Sequence, residues 1–132
     1  MNKMIIRVQT PDKTIYEEEI LSMEALAGDG LFTILPDHAP LVATVATGEL
    51  MVEEREDRTV YIAIDSGLIE VSNNVITVLT QDGVVAYEKG DGLLKMEAMQ
   101  KQRRYENVQA REQLVRSELE LYRLLTQGGR TN

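Results

Sequence analysis

Cysteine and tryptophan are absent from the 132 residues. Phenylalanine and histidine occur once each, as Phe32 and His38, and proline three times. Without cysteine there is no disulfide frame, no thiol nucleophile and no cysteine metal site, a composition that fits a reducing compartment. No apolar run approaches the roughly 20 residues of a membrane span, so direct membrane insertion is not expected. The opening stretch MNKMIIRVQTPDK has an apolar run of about three residues where a signal peptide needs roughly 7–15, so no signal peptide is expected. A lone histidine with no second His or Cys is a poor transition-metal site. Ser22, Ser66, Ser72 and Ser117 lie in no nucleophile-elbow context. Asp37 is adjacent to His38, but neighbouring side chains on an extended chain point apart, so a triad is not expected either. The AGDG segment, residues 27–30, lacks both GxGxxG spacing and a GK[ST] ending, and reads as a tight turn rather than a phosphate loop. These absences leave no active site, no metal and no cofactor to expect. They make His38 a structural or interface residue.

Charge is plentiful but uneven. Residues 1–89 carry 6 Lys+Arg and 16 Asp+Glu, and residues 90–132 carry 8 and 6. The acidic part would repel phosphates, so nucleic acid is not an expected partner. The basic tail is suited to an acidic partner.

The two parts also differ in period. From Met4 to about Glu88, Ile6/Val8, Val60/Ile62/Ile64, Ile69/Val71 and Ile76/Val78 alternate with polar neighbours, which predicts extended segments with one buried face. Turn chemistry separates them at Pro11-Asp12, Gly28-Asp29-Gly30, Thr47-Gly48, Glu56-Asp57, Asp65-Ser66-Gly67, Asn73-Asn74 and Asp82-Gly83. About ten short strands at this spacing predict a flattened β-sandwich or barrel over residues 1–89. The charged run EEREDR, residues 53–58, reads as a solvated hairpin tip.

After Gly90-Asp91-Gly92 the pattern changes. Residues 93–127 contain no Gly or Pro and are rich in helix formers. Asp91 suits an N-cap or first turn, and Gly128-Gly129 a C-cap. Such a helix is about 50 Å long, too long to lie wholly on so small a domain. Its apolar residues form two stripes. Leu93, Met96 and Met99 make the first, and Val108, Val115, Leu119 and Tyr122 the second. Between them QKQRRYEN, residues 100–107, is polar. A hinge between two helices is one reading of that interval, and one continuous helix is the preferred one. Residues 90–132 are thus a helical domain, whether one long helix or a pair.

One stretch carries more than its chemistry. G-D-G-L-F-T-I-L-P-D-H-A-P-L, residues 28–41, resembles the signature of the epsilon subunit of F-type ATP synthases, called delta in mitochondria. The match is Ile34, Leu35, Pro36, His38, Ala39, Pro40 and Leu41. A first strand of the type M-x-I-x-V-x-T-P, the acidic EEEILSMEALAGDG, Thr47-Gly48-Glu49-Leu50 and Ile64-Asp65-Ser66-Gly67-Leu68-Ile69-Glu70-Val71 fall in family order. The resemblance covers residues 3–88 in detail and the tail in type only.

The resemblance implies a ten-stranded β-sandwich with helices after it. It also implies a non-catalytic rotor subunit of the central stalk. The sandwich would join the gamma subunit to the polar loops of the membrane c-ring, coupling ion transport to ATP synthesis. The tail would restrain ATP hydrolysis by reaching the alpha and beta catalytic subunits. Asp29, Leu31, Phe32, Pro36, His38, Ala39, Pro40 and Leu41 are then the expected ring or gamma interface. The prolines stiffen that interface by fixing φ and restricting Leu35 and Ala39 before them. Lys101, Arg103, Arg104 and Arg111 are the expected contacts to the acidic loop of the catalytic subunits. The implied location is peripheral, on the cytoplasmic face of a bacterial or archaeal membrane.

The sequence departs from the family in three places. Leu31 replaces an acidic residue, so an apolar ring contact is expected. The tail lacks the glycine-containing connection of a helical hairpin. The ATP-binding motif I/L-D-x-x-R-A is incomplete: Asp91 has a counterpart, but Leu94 and Lys95 stand where arginine and alanine belong, so ATP binding is not expected. These departures point to a divergent branch, such as the sodium-type enzymes. The competing reading is a free-standing β-sandwich module whose helical tail self-associates.

Overall fold

The computed structural model describes residues 3–27 and 30–128. Ten strands precede one helix: β1 (Met4–Gln9), β2 (Thr14–Ile20), β3 (Ser22–Ala27), β4 (Gly30–Ile34), β5 (Leu41–Val45), β6 (Gly48–Arg55), β7 (Arg58–Ile64), β8 (Gly67–Ser72), β9 (Val75–Thr80), β10 (Gly83–Ala86) and α1 (Asp91–Gly128). The strands form two five-stranded sheets, ordered β2-β1-β9-β8-β5 and β10-β7-β6-β3-β4. This is the expected sandwich. Strand pairing is antiparallel except between β1 and β9, which run parallel with Ile6 opposite Ile76.

Period-two alternation builds the core. Met4, Ile6 and Val8 of β1 point inward and are fully buried, as are Val60 and Ile62 of β7, Ile69 of β8 and Ile76 and Val78 of β9. Leu50 and Val52 of β6 and Met23 of β3 complete the facing layer. Burial of this kind stabilises by roughly 25 cal/mol per Å² of apolar surface, so these side chains carry most of the fold. Tight turns hold the register. Asn73 and Asn74 both take positive φ, 50° and 62°, as a two-residue hairpin between β8 and β9 requires. Gly67 is obligatory on space, since a Cβ there would lie 2.2 Å from the Leu79 carbonyl oxygen.

The side of the sandwich formed by β2 and β10 is latched by polar groups. Tyr16 on β2 donates from its hydroxyl to Glu54 Oε1 on β6 at 2.5 Å. Arg58 Nε meets the other oxygen of Glu54 at 2.8 Å, and its guanidinium lies 5.4 Å from the centre of the Tyr87 ring. Burial, reinforced by the bond to Glu54, raises the Tyr16 pKa far above the usual phenol range.

The chain divides after Glu97 into two compact units. The first turns of α1 belong to the first unit and rest on the outer face of β7 and β10. Gly92 fits there because a Cβ would meet the Val84 carbonyl oxygen at 3.0 Å and Ala63 Cβ at 3.2 Å. Met96, Ala63 and Ala86 are also buried. Gly90, at φ +88°, turns the chain into the helix. Its N–H donates to Glu49 Oε2 at 2.7 Å, and its carbonyl accepts the first helical bond from Leu94 N at 3.2 Å. A carboxylate at that position also favours the positive end of the helix dipole. Asp91 is the first helical residue, as its chemistry suggested. The helix is unbroken through residues 100–107, so the hinge reading of that interval does not apply. Gly128 ends it, and Gly129 lies outside the described residues.

Candidate interaction surfaces

The PDHAP segment joins β4 to β5, the edge strands on one side of the two sheets. Its conformation is fixed from within and from outside. His38 N donates to the Leu35 carbonyl at 3.2 Å, closing a turn. Asp37 sits in the left-handed region at φ +66°, which short polar side chains tolerate better than most. A reciprocal clasp then ties the turn to the β8–β9 hairpin. Asp37 N–H donates to Asn74 Oδ1 at 2.6 Å, and Asn74 Nδ2 donates to Asp37 Oδ1 at 3.0 Å. His38 is half-buried, with Nδ1 2.7 Å from the Ala39 carbonyl. Nδ1 is therefore the protonated nitrogen in the neutral ring, and Nε2 the acceptor. Ala39 and Pro40 are exposed, and Pro36 is half-buried. Leu35 and Pro36 line one wall of an open groove of about 800 Å³ that also touches Leu21, Ser22 and Arg55.

The expected interface residues do not form one patch. Leu31 and Pro36 stand at opposite ends of β4, about 16 Å apart for five extended residues. Leu31 is 66 % exposed and pairs across the β3–β4 hairpin with Leu26, which is 53 % exposed. Asp29 lies outside the described residues. Phe32 and Leu41 are half-buried and pack against the core rather than standing free. Val42 on edge strand β5 is 66 % exposed. The side of the sandwich therefore offers two separate surfaces. One is the apolar Leu26–Leu31 pair, and the other is the clasped PDHAP turn beside its groove.

Sequence reading missed Leu26, Val42 and Asn74. Leu26 and Val42 each fall in short apolar runs whose inward and outward members only the strand register distinguishes. Asn74 was visible as a turn residue, but its partner is 37 positions away, and nothing local announces that.

In the second unit Lys101, Arg103, Arg104 and Arg111 are all exposed. At 100° per residue, Lys101, Arg104 and Arg111 share one face of the helix and Arg103 turns away from it. Asp91 sits in the first turn of α1. Leu94, at the arginine position of the incomplete nucleotide motif, is an exposed apolar side chain. Among the described residues no group of three or more His, Cys, Asp or Glu side chains is placed to hold a metal ion, and no helix is long and apolar enough to cross a membrane.

Fold and sequence together define a ten-stranded β-sandwich followed by one long helix. The family model of the ATP synthase delta/epsilon chain beta-sandwich domain matches residues 3–86, and the chain belongs to that family. It is 37 % identical over 84 residues to the ATP synthase epsilon chain of Leptospira interrogans, a match covering 64 % of this chain and 65 % of that one. It is 31 % identical over 91 residues to the ATP synthase epsilon chain of Sulfurovum sp., covering 69 % and 70 %. The match thus spans just under two thirds of the Leptospira relative. Among solved structures, the fold resembles a chain of the Euglena gracilis mitochondrial ATP synthase in its OSCP/F1/c-ring part. The TM-score there is 0.61 at 20 % identity, over 78 % of this chain and 64 % of that one. It also resembles a chain of the central stalk and c-ring structure from Tetrahymena thermophila, with a TM-score of 0.55 at 15 % identity, over 78 % and 92 %. These two likenesses concern the fold alone.

Proposed function

We propose that this chain is a non-catalytic central-stalk subunit of an F-type ATP synthase, joining a gamma subunit to the loops of a c-ring. The observation that carries the reading is the family match across the whole sandwich, residues 3–86. Residues 1–89 form the rotor-binding domain and residues 90–132 the helical one. The two exposed surfaces suit two partners. The Leu26–Leu31 pair meets the ring loops through apolar contact. The clasped turn from Pro36 to Pro40, with Leu41 and the groove beside it, meets gamma. Phe32 supports the first surface from beneath. A stiff, preordered turn suits a joint under torque, because little ordering entropy remains to be lost on docking. The tail restrains hydrolysis through Lys101, Arg104 and Arg111 against an acidic loop of the catalytic subunits, with Arg103 on a second side. Guanidinium–carboxylate pairs are directional enough for such a brake. The complex places the chain peripherally, on the cytoplasmic face of a bacterial or archaeal membrane.

The test is a pull-down with gamma and detergent-solubilised c-ring from the same organism, followed by ATPase assays. A truncation should keep residues 1–97, because Gly92 packs on the sheet and Met96 is buried. Binding by both forms, with hydrolysis rising only for the truncation, is the expected result. Binding without that rise would leave the joint and remove the brake. Absence of binding by either would overturn the reading.

A further inference from the structure

Helix α1 carries an apolar seam that the rotor reading does not use. Tyr105, Val108, Val115, Leu119 and Tyr122 lie on one face, and each is more than half exposed. Their spacings of three, seven, four and three follow a heptad pattern in which Glu112 is the one seam position held by a charged residue between Tyr105 and Tyr122. A second stripe, Leu114, Leu121 and Leu124, is on the opposite side and shorter. The margins of the longer seam carry Arg104, Arg111 and Glu118 on one flank and Gln102, Gln109, Arg116 and Arg123 on the other.

Those margins select an occupant. In an antiparallel pair of these helices, Tyr105 faces the second copy's Tyr122, Val108 faces its Leu119, and Val115 faces its Glu112. The same flank then sets Arg111 against the second copy's Glu118, and by symmetry Glu118 against its Arg111. On the other flank Gln109 faces Arg116 and Gln102 faces Arg123, with no like charges opposed. A parallel pair would instead set Arg111 against Arg116. Neither Arg111 nor Glu118 has an opposite charge three or four residues away on its own helix, so the pairing completes both. Glu112 costs stability in the seam, but one polar seam position is a known means of fixing register. Arg116, one turn on, can shield it.

We infer that the free chain pairs with a second copy of itself through an antiparallel coiled coil of residues 101–126, bonded across the seam by two Arg111–Glu118 pairs. The pairing covers Lys101, Arg104 and Arg111. On the braking role proposed above, the self-paired and the braking tail are therefore mutually exclusive.

The first measurement is sedimentation equilibrium of the full chain from roughly 1 to 500 µM, where a seam of about two and a half heptads should show a weak, reversible dimer. R111E and E118R should each weaken it by at least about tenfold, because every copy then opposes like charges. The charge swap R111E/E118R should restore it to within about threefold. Circular dichroism should leave helix content unchanged in all three. The cysteine-free chain permits a second readout. Oxidised R111C/E118C should form a covalent dimer, since two residues seven apart on one helix lie about 10.5 Å from each other and cannot bridge internally. A chain monomeric at 500 µM would overturn the inference. So would a dimer indifferent to both charge reversals and to oxidation, which would have another seam. Because binding to gamma is read separately, the rotor assignment stands or falls independently.

Discussion

Asn74 does for the PDHAP turn what no residue within it can do. Two prolines narrow the backbone, but Asp37 still sits at φ +66°, and the clasp to Asn74 holds it there. Asn74→Ala removes both bonds of that clasp. The expected cost is about 1–2 kcal/mol in chemical denaturation, with faster hydrogen exchange at residues 36–39 and weaker gamma binding. An unchanged exchange rate would mean the prolines alone suffice. Tyr16 supplies a pH signature. Its folded pKa is raised, so its contribution is complete below the unfolded value of about 10 and is lost as pH rises through and beyond that value. Thermal melts of the wild type should therefore fall more steeply above pH 10 than those of Tyr16→Phe. The variant should start lower at pH 8, having lost the bond to Glu54. Equal slopes would disprove the assignment.

At the scale of the element, α1 was the most legible part of the sequence. A run of helix formers without Gly or Pro leaves the backbone no cheap alternative, and the glycine pair at 90 and 92 marks where it begins. What the sequence did not disclose is why both glycines are needed. Gly90 must adopt a positive φ, while Gly92 must leave room for the Val84 carbonyl. Met96 falls in the first apolar stripe of the tail, yet unlike Met99 it is buried, as are Ala63 and Ala86. Met96→Ala should cost about 2 kcal/mol and raise exchange in residues 91–96 while leaving the strands protected. The strands were legible as a set, because period-two burial is strict in β1, β8 and β9. Their neighbours were not: pairing β1 with β9 is a fact about residues 70 apart.

For the whole molecule, the sequence grouped ring and gamma contacts in one set of residues, and β4 spreads that set between its two ends. Local motif reading cannot see this, since six adjacent positions look contiguous until a strand spreads them over about 16 Å. The separation makes a sharp prediction. Leu31→Asp should abolish association with the c-ring while leaving gamma binding within about twofold. His38→Ala should do the reverse, weakening gamma binding about tenfold. Loss of both activities in both variants would mean a single continuous interface.

The parallel pairing of β1 with β9 has a consequence for how the protein is made. Met4 to Gln9 are translated about 70 residues ahead of their β9 partners, and one flank of that strand has no partner until Val75 to Thr80 exist. The sandwich therefore cannot close progressively behind the ribosome. Its opening apolar strand must wait until nearly the whole domain has left the exit tunnel, and at about 5–20 residues per second that wait lasts seconds. Nascent chains arrested before residue 80 clears the tunnel should be protease-sensitive throughout, and those arrested well after it should be resistant.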